Sequence, residues 1–276
     1  MALFADLVAV EPAPGGFTAD IDRTWSVGRK VHGGALLAVL ASAGRAAYLA
    51  DGGDEGVQPV VIAAEYLGAP DPGSVALRTE VAKRGRTTSV VNVQAVQGDR
   101  VYVQAAVTLA RRDSGDERYV EPTPLDDLPA TPPDDALAWD PDHPAAKVFK
   151  VGRVAEVRYD PSTLPVLHGR TGAAQTRGWV RLREEPVSAL FALLATDISL
   201  PVVANTGAIG WAPTLTLTAT VRREPIPGWL RFRASSPVVG QQWFEEDHLL
   251  VDESGRVVAT SRQLAMVPVA APAENA

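Results

Sequence analysis

Asp197, Thr214 and Gln263 carry groups able to do chemistry where an earlier stretch of the same chain carries Ala43, Pro59 and Ala106. The correspondence exists because the sequence repeats itself. Arg23-x-Trp25 and the apolar run Ala35-Leu36-x-Ala38-x-Leu40-Ala41 recur as Arg177-x-Trp179 and Ala189-Leu190-x-Ala192-x-Leu194-Ala195, each pair 154 residues apart. Pro70-x-Pro72-Gly73, Arg78 and Gly85 recur as Pro225-x-Pro227-Gly228, Arg233 and Gly240, each pair 155 residues apart. Two copies of one structural unit serve as each other's control, so a polar residue present in one copy only was not required by the fold. Asp197 supplies a carboxylate that can accept a proton, and Thr214 and Gln263 supply a hydroxyl and an amide that hydrogen-bond without ionising.

Each residue also has a plainer reading. A carboxylate near the middle of an apolar helix is costly to bury unless matched; the plainer alternative places Asp197 at the helix end as a cap for the turn at 198–201. Thr214 alternates with Thr216, Thr218 and Thr220, as a β-former does. A lone strand glutamine usually faces solvent, whereas the alanine counterpart of Gln263 points this position at a crowded interior. A fourth feature is His32-Gly33-Gly34, at the start of the first apolar helix. Unpaired backbone N–H groups and the helix dipole gather there and would favour a negatively charged oxygen; the two glycines read equally as steric clearance.

The elements that position these residues follow from pattern. Residues 16–31 alternate polar and apolar positions with Phe17, Ile21, Trp25 and Val27, which predicts a strand or hairpin. Residues 35–49 are apolar on all sides, the mark of a helix buried all round. Strands are predicted near 57–67, 74–83, 87–97 and 100–111, divided by turn signals at Pro70-Asp71-Pro72-Gly73, Gly85 and Gly98-Asp99. The order recurs as a strand at 176–183, a helix at 187–200, and strands near 213–222, 229–237, 241–251 and 256–267. The predicted organisation is a first unit at 1–111, an acidic, Pro-rich linker at 112–146 with little to bury, a second unit at 147–268 and a frayed tail at 269–276.

With 26 basic and 33 acidic residues the net charge is −7, which argues against non-specific nucleic-acid binding. Without cysteine there is no disulfide, thiolate metal site or cysteine nucleophile, consistent with a cytoplasmic protein. No signal peptide or membrane span is read. His32, His143, His168 and His248 lack metal-ligand spacing, and no Gly-x-Ser-x-Gly, Walker or Gly-x-Gly-x-x-Gly motif occurs. No metal and no cofactor is expected.

A single helix wrapped by a curved antiparallel sheet, made twice and joined edge to edge, is an α+β double hotdog. The arrangement and its residues resemble the acyl-CoA thioesterase II family and its thioesterase-like double-hotdog relatives, over residues 15–111 and 150–267. The resemblance implies that Asp197, Thr214 and Gln263 hold the hydrolytic water, matching an aspartate late on the second helix, a threonine opening the next strand and a glutamine on the last strand. It also implies a composite site, with the substrate-binding stretch His32-Gly33-Gly34 facing the acid of the other unit. The implied substrate is acyl-CoA, hydrolysed to free acid and coenzyme A. The sequence departs where the family often carries Asp-His shortly after the threonine; here Thr216 and Leu217 stand. Alternatives are a non-catalytic acyl-CoA or lipid-binding module and an enoyl-thioester hydratase, the latter weakened because neither helix interior holds a histidine. Lys83-Arg84-Gly85-Arg86 and Arg222-Arg223 could meet coenzyme A phosphates or form solvated turns. A free sheet edge or face leaves room for a homodimer.

Overall fold

The structure is a computed structural model that describes residues 3–138 and 148–268. A short helix, α1 (Phe4–Val8), precedes strands β1 (Glu11–Ala13) and β2 (Gly16–Ile21). Two very short strands, β3 (Ser26–Val27) and β4 (Lys30–Val31), lead into helix α2 (Gly33–Ala50). The meander β5 (Gln58–Tyr66), β6 (Gly73–Lys83), β7 (Ser89–Gln97) and β8 (Arg100–Ala110) completes the first half. The second half holds β9 (Leu137–Ala138), β10 (Ala155–Tyr159), β11 (Gln175–Leu182), helix α3 (Ala189–Ala195) and the meander β12 (Thr214–Val221), β13 (Leu230–Ser235), β14 (Trp243–Val251) and β15 (Val257–Met266).

All strands except β3 and β4 form one antiparallel sheet of thirteen strands, in the order β1-β2-β6-β7-β8-β5-β12-β15-β14-β13-β11-β10-β9. The halves meet where β5 pairs with β12, Thr216 opposite Glu65 and Thr220 opposite Val61. The tight β7–β8 hairpin closes through Gly98, whose φ of +59° suits a two-residue turn. Helix α2 is apolar all round and buried accordingly, with Ala35 through Ala41 all fully or nearly fully buried. It packs on β5 through β8 and on α3. Among the described residues it alone has the length and composition to cross a membrane, and here it is the core helix inside the sheet. This is a double hotdog, as expected.

Three expectations need correction. The second helix is shorter than 187–200, so Asp197 lies two residues beyond its last turn and not inside it. The Arg23-x-Trp25 and Arg177-x-Trp179 match is not a structural one. Trp25 closes a 3-10 turn after β2, whereas Trp179 lies inside β11. Phe17 pairs with Leu77 and Gly178 with Phe232, so Gly178, not a residue near Arg23, answers to β2. Third, the stretch expected to bury little in fact packs: Leu125, Leu128 and Ala136 form a cluster with Trp179, Trp229 and Val251. The Trp179 indole donates to the Pro129 carbonyl, and the Arg231 guanidinium donates to the carbonyls of Leu125 and Leu128. The expected tail at 269–276 lies outside the described residues.

Candidate active site

Asp197 sits against the amino end of α2, contributed by the other half of the chain. Its Oδ2 accepts the Gly34 N–H at 2.7 Å, a charge-assisted bond to one of the helix's unpaired donors. The side chain is only 13% exposed. Burial lifts its carboxyl above the ordinary carboxylate range, opposed by the pull of His32 and of the Gly34 N–H. Both glycines border this contact closely, Gly34 against backbone and Gly33 against the end of the Asp197 side chain. A Cβ at Gly33 would lie 2.7 Å from Asp197 Oδ2, and one at Gly34 would lie 2.4 Å from the Leu194 carbonyl oxygen. The Gly33 N–H has no partner among the described residues.

His32 is buried and caps α2, its Nδ1 accepting the Ala35 N–H. The proton therefore sits on Nε2, which faces Asp197 Oδ2 at 3.9 Å, beyond hydrogen-bonding range. Burial pulls its pKa below the usual histidine value, so the ring is neutral. Tyr66 completes this corner by donating its hydroxyl to the Gly33 carbonyl at 2.9 Å. Burial, reinforced by the Asp197 charge, holds that phenol protonated.

Thr214 and Gln263 are bonded to each other, the Thr214 hydroxyl donating to Gln263 Oε1 at 2.8 Å. A β-bulge makes this possible. Thr214 pairs with Ala265 and Thr216 with Leu264, so the residue between them has no partner and the alternation slips by one. Thr214 thereby leaves the outer row of Thr216, Thr218 and Thr220 and turns inward. Pro59 flanks the equivalent bulge in the first half, a kind of place where a sheet tolerates proline.

Behind Gln263 lies a buried network that sequence reasoning missed. Gln263 Nε2 donates to Glu246 Oε1 at 2.9 Å, and Glu246 Oε2 accepts the Val202 N–H at 2.8 Å. His248 Nε2 lies 3.0 Å from Ser199 Oγ and 3.5 Å from Glu246 Oε1. Burial pushes the Glu246 carboxyl up to about 7 and the His248 imidazole down to about 3. Serine and acid crowd the same imidazole nitrogen, and Nδ1 is unpartnered among the described residues, so this is no nucleophile-base-acid relay. These bonds tether the segment carrying Asp197. The Ser261 hydroxyl donates to the Thr196 carbonyl, while Ser199 and Val202 bind His248 and Glu246. No hydrogen bond joins Asp197 directly to Thr214 or Gln263 among the described residues.

Pairing also revises one counterpart. Leu217 opposes Gln263 and Ile62 opposes Val107, so Gln263 answers to Val107 and not to Ala106. By the same register Glu246 answers to Val91 and His248 to Val93. All three valines are fully buried. The basic residues considered for phosphate contacts are largely committed to acids: Arg84 to Asp51, Arg222 to Asp113 and Arg223 to Glu117. A hollow of about 760 Å³ lies on the opposite sheet face, lined by Glu65, Arg78, Glu80 and Thr216 among others, and contains none of the site residues above. No metal-ligating cluster occurs among the described residues.

Comparison with known proteins assigns the chain to a family. A family model of the acyl-CoA thioesterase N-terminal domain matches residues 21–110, and one of the C-terminal domain matches residues 126–267. The chain belongs to the acyl-CoA thioesterase family. The C-terminal model begins inside the stretch expected as linker, in keeping with the packing of Leu128 and Ala136. Over 289 aligned residues this acyl-CoA thioesterase family member is 40% identical to an uncharacterized protein of Mycobacterium tuberculosis, covering 97% of this chain and 99% of the relative. A thioesterase II candidate from Thermobifida fusca YX superposes with a TM-score of 0.84 at 29% identity, over 98% of each chain. A hot dog protein of unknown function from Alicyclobacillus acidocaldarius gives 0.81 at 17% identity, covering 97% of this chain and 98% of that one.

Proposed function

We propose that this chain hydrolyses acyl-CoA thioesters through a water held by Asp197, Thr214 and Gln263. The observation that carries the reading is the Asp197 carboxylate of one half seated on the helix start of the other, beside the unpartnered Gly33 N–H. Asp197, with its raised proton affinity, accepts a proton as the water attacks the thioester carbonyl. The new C–O bond leaves negative charge on the carbonyl oxygen, which the amino end of α2 stabilises through Gly33. Collapse breaks the C–S bond, and the proton held by Asp197 passes to the departing coenzyme A sulfur. Thr214 and Gln263 orient the water without changing charge.

Coenzyme A release across acyl chain lengths tests the reading, with Asp197→Asn as the decisive variant. Asparagine can still accept the Gly34 N–H, so the fold is retained while turnover is lost; retained turnover removes Asp197 from the mechanism. Ligand-induced thermal stabilisation without release at any chain length would instead identify a binding module. One observation favours a second reading, enoyl-thioester hydration: neutral His32 faces Asp197 across 3.9 Å. Loss of 2-enoyl-CoA absorbance without coenzyme A release would establish that activity.

A further inference from the structure

The two ends of the Gln263 amide are chemically different, and their assignment decides what a water beside them meets. Oε1 takes the Thr214 hydroxyl hydrogen, and Nε2 gives one hydrogen to Glu246. Thr214 then has no hydrogen left to donate and presents only lone pairs, while Gln263 keeps one free N–H. In the reversed orientation Nε2 would donate to Thr214 and release its hydroxyl hydrogen. That hydrogen would be drawn onto a lone pair of the water and make it a poorer nucleophile.

We propose that Glu246 is the positioning residue that fixes this amide orientation. Its carboxylate can only accept, so it admits Nε2 and repels Oε1, and its second oxygen is anchored on the Val202 N–H at 2.8 Å. Glu246 is 1% exposed, and Val91 occupies the same place in the first half, so the fold itself asks for no carboxylate there. The groups that face or act on Glu246 are His248 and Asp247 on β14, Gln263 on β15, Tyr159 on β10, and Asp197 and Ser199 in the segment after α3. His248 is neutral and leaves the carboxylate uncompensated. Once protonated, Glu246 can donate to Oε1 and turn the amide round, so the active form is the carboxylate and turnover rises with pH as Glu246 ionises.

The inference rests on the water-holding role of Gln263, so Gln263→Ala is measured beside Glu246→Gln. In Glu246→Gln the new amide must accept from Val202 and therefore donates to Gln263, reversing it. Turnover number should fall roughly tenfold to hundredfold, with KM for acyl-CoA changed less than about twofold and a melting temperature no lower than native. The part of the acidic limb set by Glu246 near pH 7 should disappear, leaving the limb set by Asp197. Glu246→Val, which installs the residue present at Val91, is the second arm and should lose turnover in the same way. Native turnover and an unchanged limb in either folded variant overturn the proposal. Loss in Gln263→Ala without loss at position 246 defeats this inference alone, whereas full turnover in Gln263→Ala defeats the water-holding reading as well.

Discussion

Replacing Gly34 by alanine tests whether the close seating of the two halves makes the site. The added methyl would lie 2.4 Å from the Leu194 carbonyl oxygen and 3.0 Å from the Asp197 Cβ. The first contact is roughly 1 Å short of ordinary non-bonded separation. Neither obstacle is the tip of a flexible side chain, so α2 and the end of α3 must part. Overpacking of this kind costs about 1–3 kcal/mol, and loosening the Asp197 bond to Gly34 adds about 1–2 kcal/mol. The higher helix propensity of alanine returns about 1 kcal/mol, leaving a net loss of about 1–4 kcal/mol. A displacement approaching 1 Å at the reacting groups should lower turnover roughly hundredfold. Gly33→Ala is the informative contrast, because its methyl would meet only the Asp197 Oδ2, 2.7 Å away at the end of a side chain that can swing aside. That variant should lose turnover comparably while sacrificing less than about 1 kcal/mol. Urea denaturation and coenzyme A release, run on both variants, decide the matter. A Gly34→Ala protein as stable and as active as the native chain would refute the steric reasoning.

Two further outcomes are expected. Glu246 has a folded-state pKa of about 7 against an ordinary 4.5, so it favours folding below pH 4.5 and loses that contribution as pH rises through 7. His248, held near 3, acts oppositely: its contribution is complete above pH 6.5 and fades as pH falls toward 3. Between pH 5 and 8, Glu246→Gln should therefore gain about 2–3 kcal/mol relative to the native protein in denaturation experiments; a pH-independent difference would contradict the assigned burial. Leu125→Ala should cost about 2–4 kcal/mol in the same assay, because Leu125 is fully buried among Trp179, Trp229 and Val251, whereas a true linker would lose nothing.

Strands were the most legible part of the sequence. The meander bounds read from turn signals lie within two residues of β5–β8 and β12–β15, because Pro-x-Pro-Gly and Gly-Asp impose backbone conformations locally. The end of α3 was not legible. Apolar composition continues through Ile198 and Leu200, and the halt after Ala195 reflects tertiary bonds from Thr196, Ser199 and Val202 to β14 and β15. Thr214 was singled out through the family resemblance, while its inward turn was not legible, because a single-residue bulge leaves no signature in strict alternation. Glu246 escaped notice among Glu245, Asp247 and His248, whose run of polar side chains reads as the solvated face of a strand. Aligning the copies through Val91 would have exposed it, since an acid replacing a buried valine has no packing rationale. Leu125 was hidden by the surrounding prolines and aspartates, whose composition describes the average of a segment and not its anchors.

The pairing of β5 with β12 also bears on how the halves age separately. A symmetric pair of identical units would present the helix-start-to-acid contact twice and would have to preserve a polar cleft at both places. Here the second place is closed by Val91, Val93 and Val107, with Val107 so near Gly44 that an added methyl would lie 2.9 Å from its Cβ. The first half holds valines at these places, and the second carries the cost of burying Asp197, Glu246 and His248. Partial unfolding should accordingly begin in the half that supplies the chemistry, with the other remaining as the template on which it closes again.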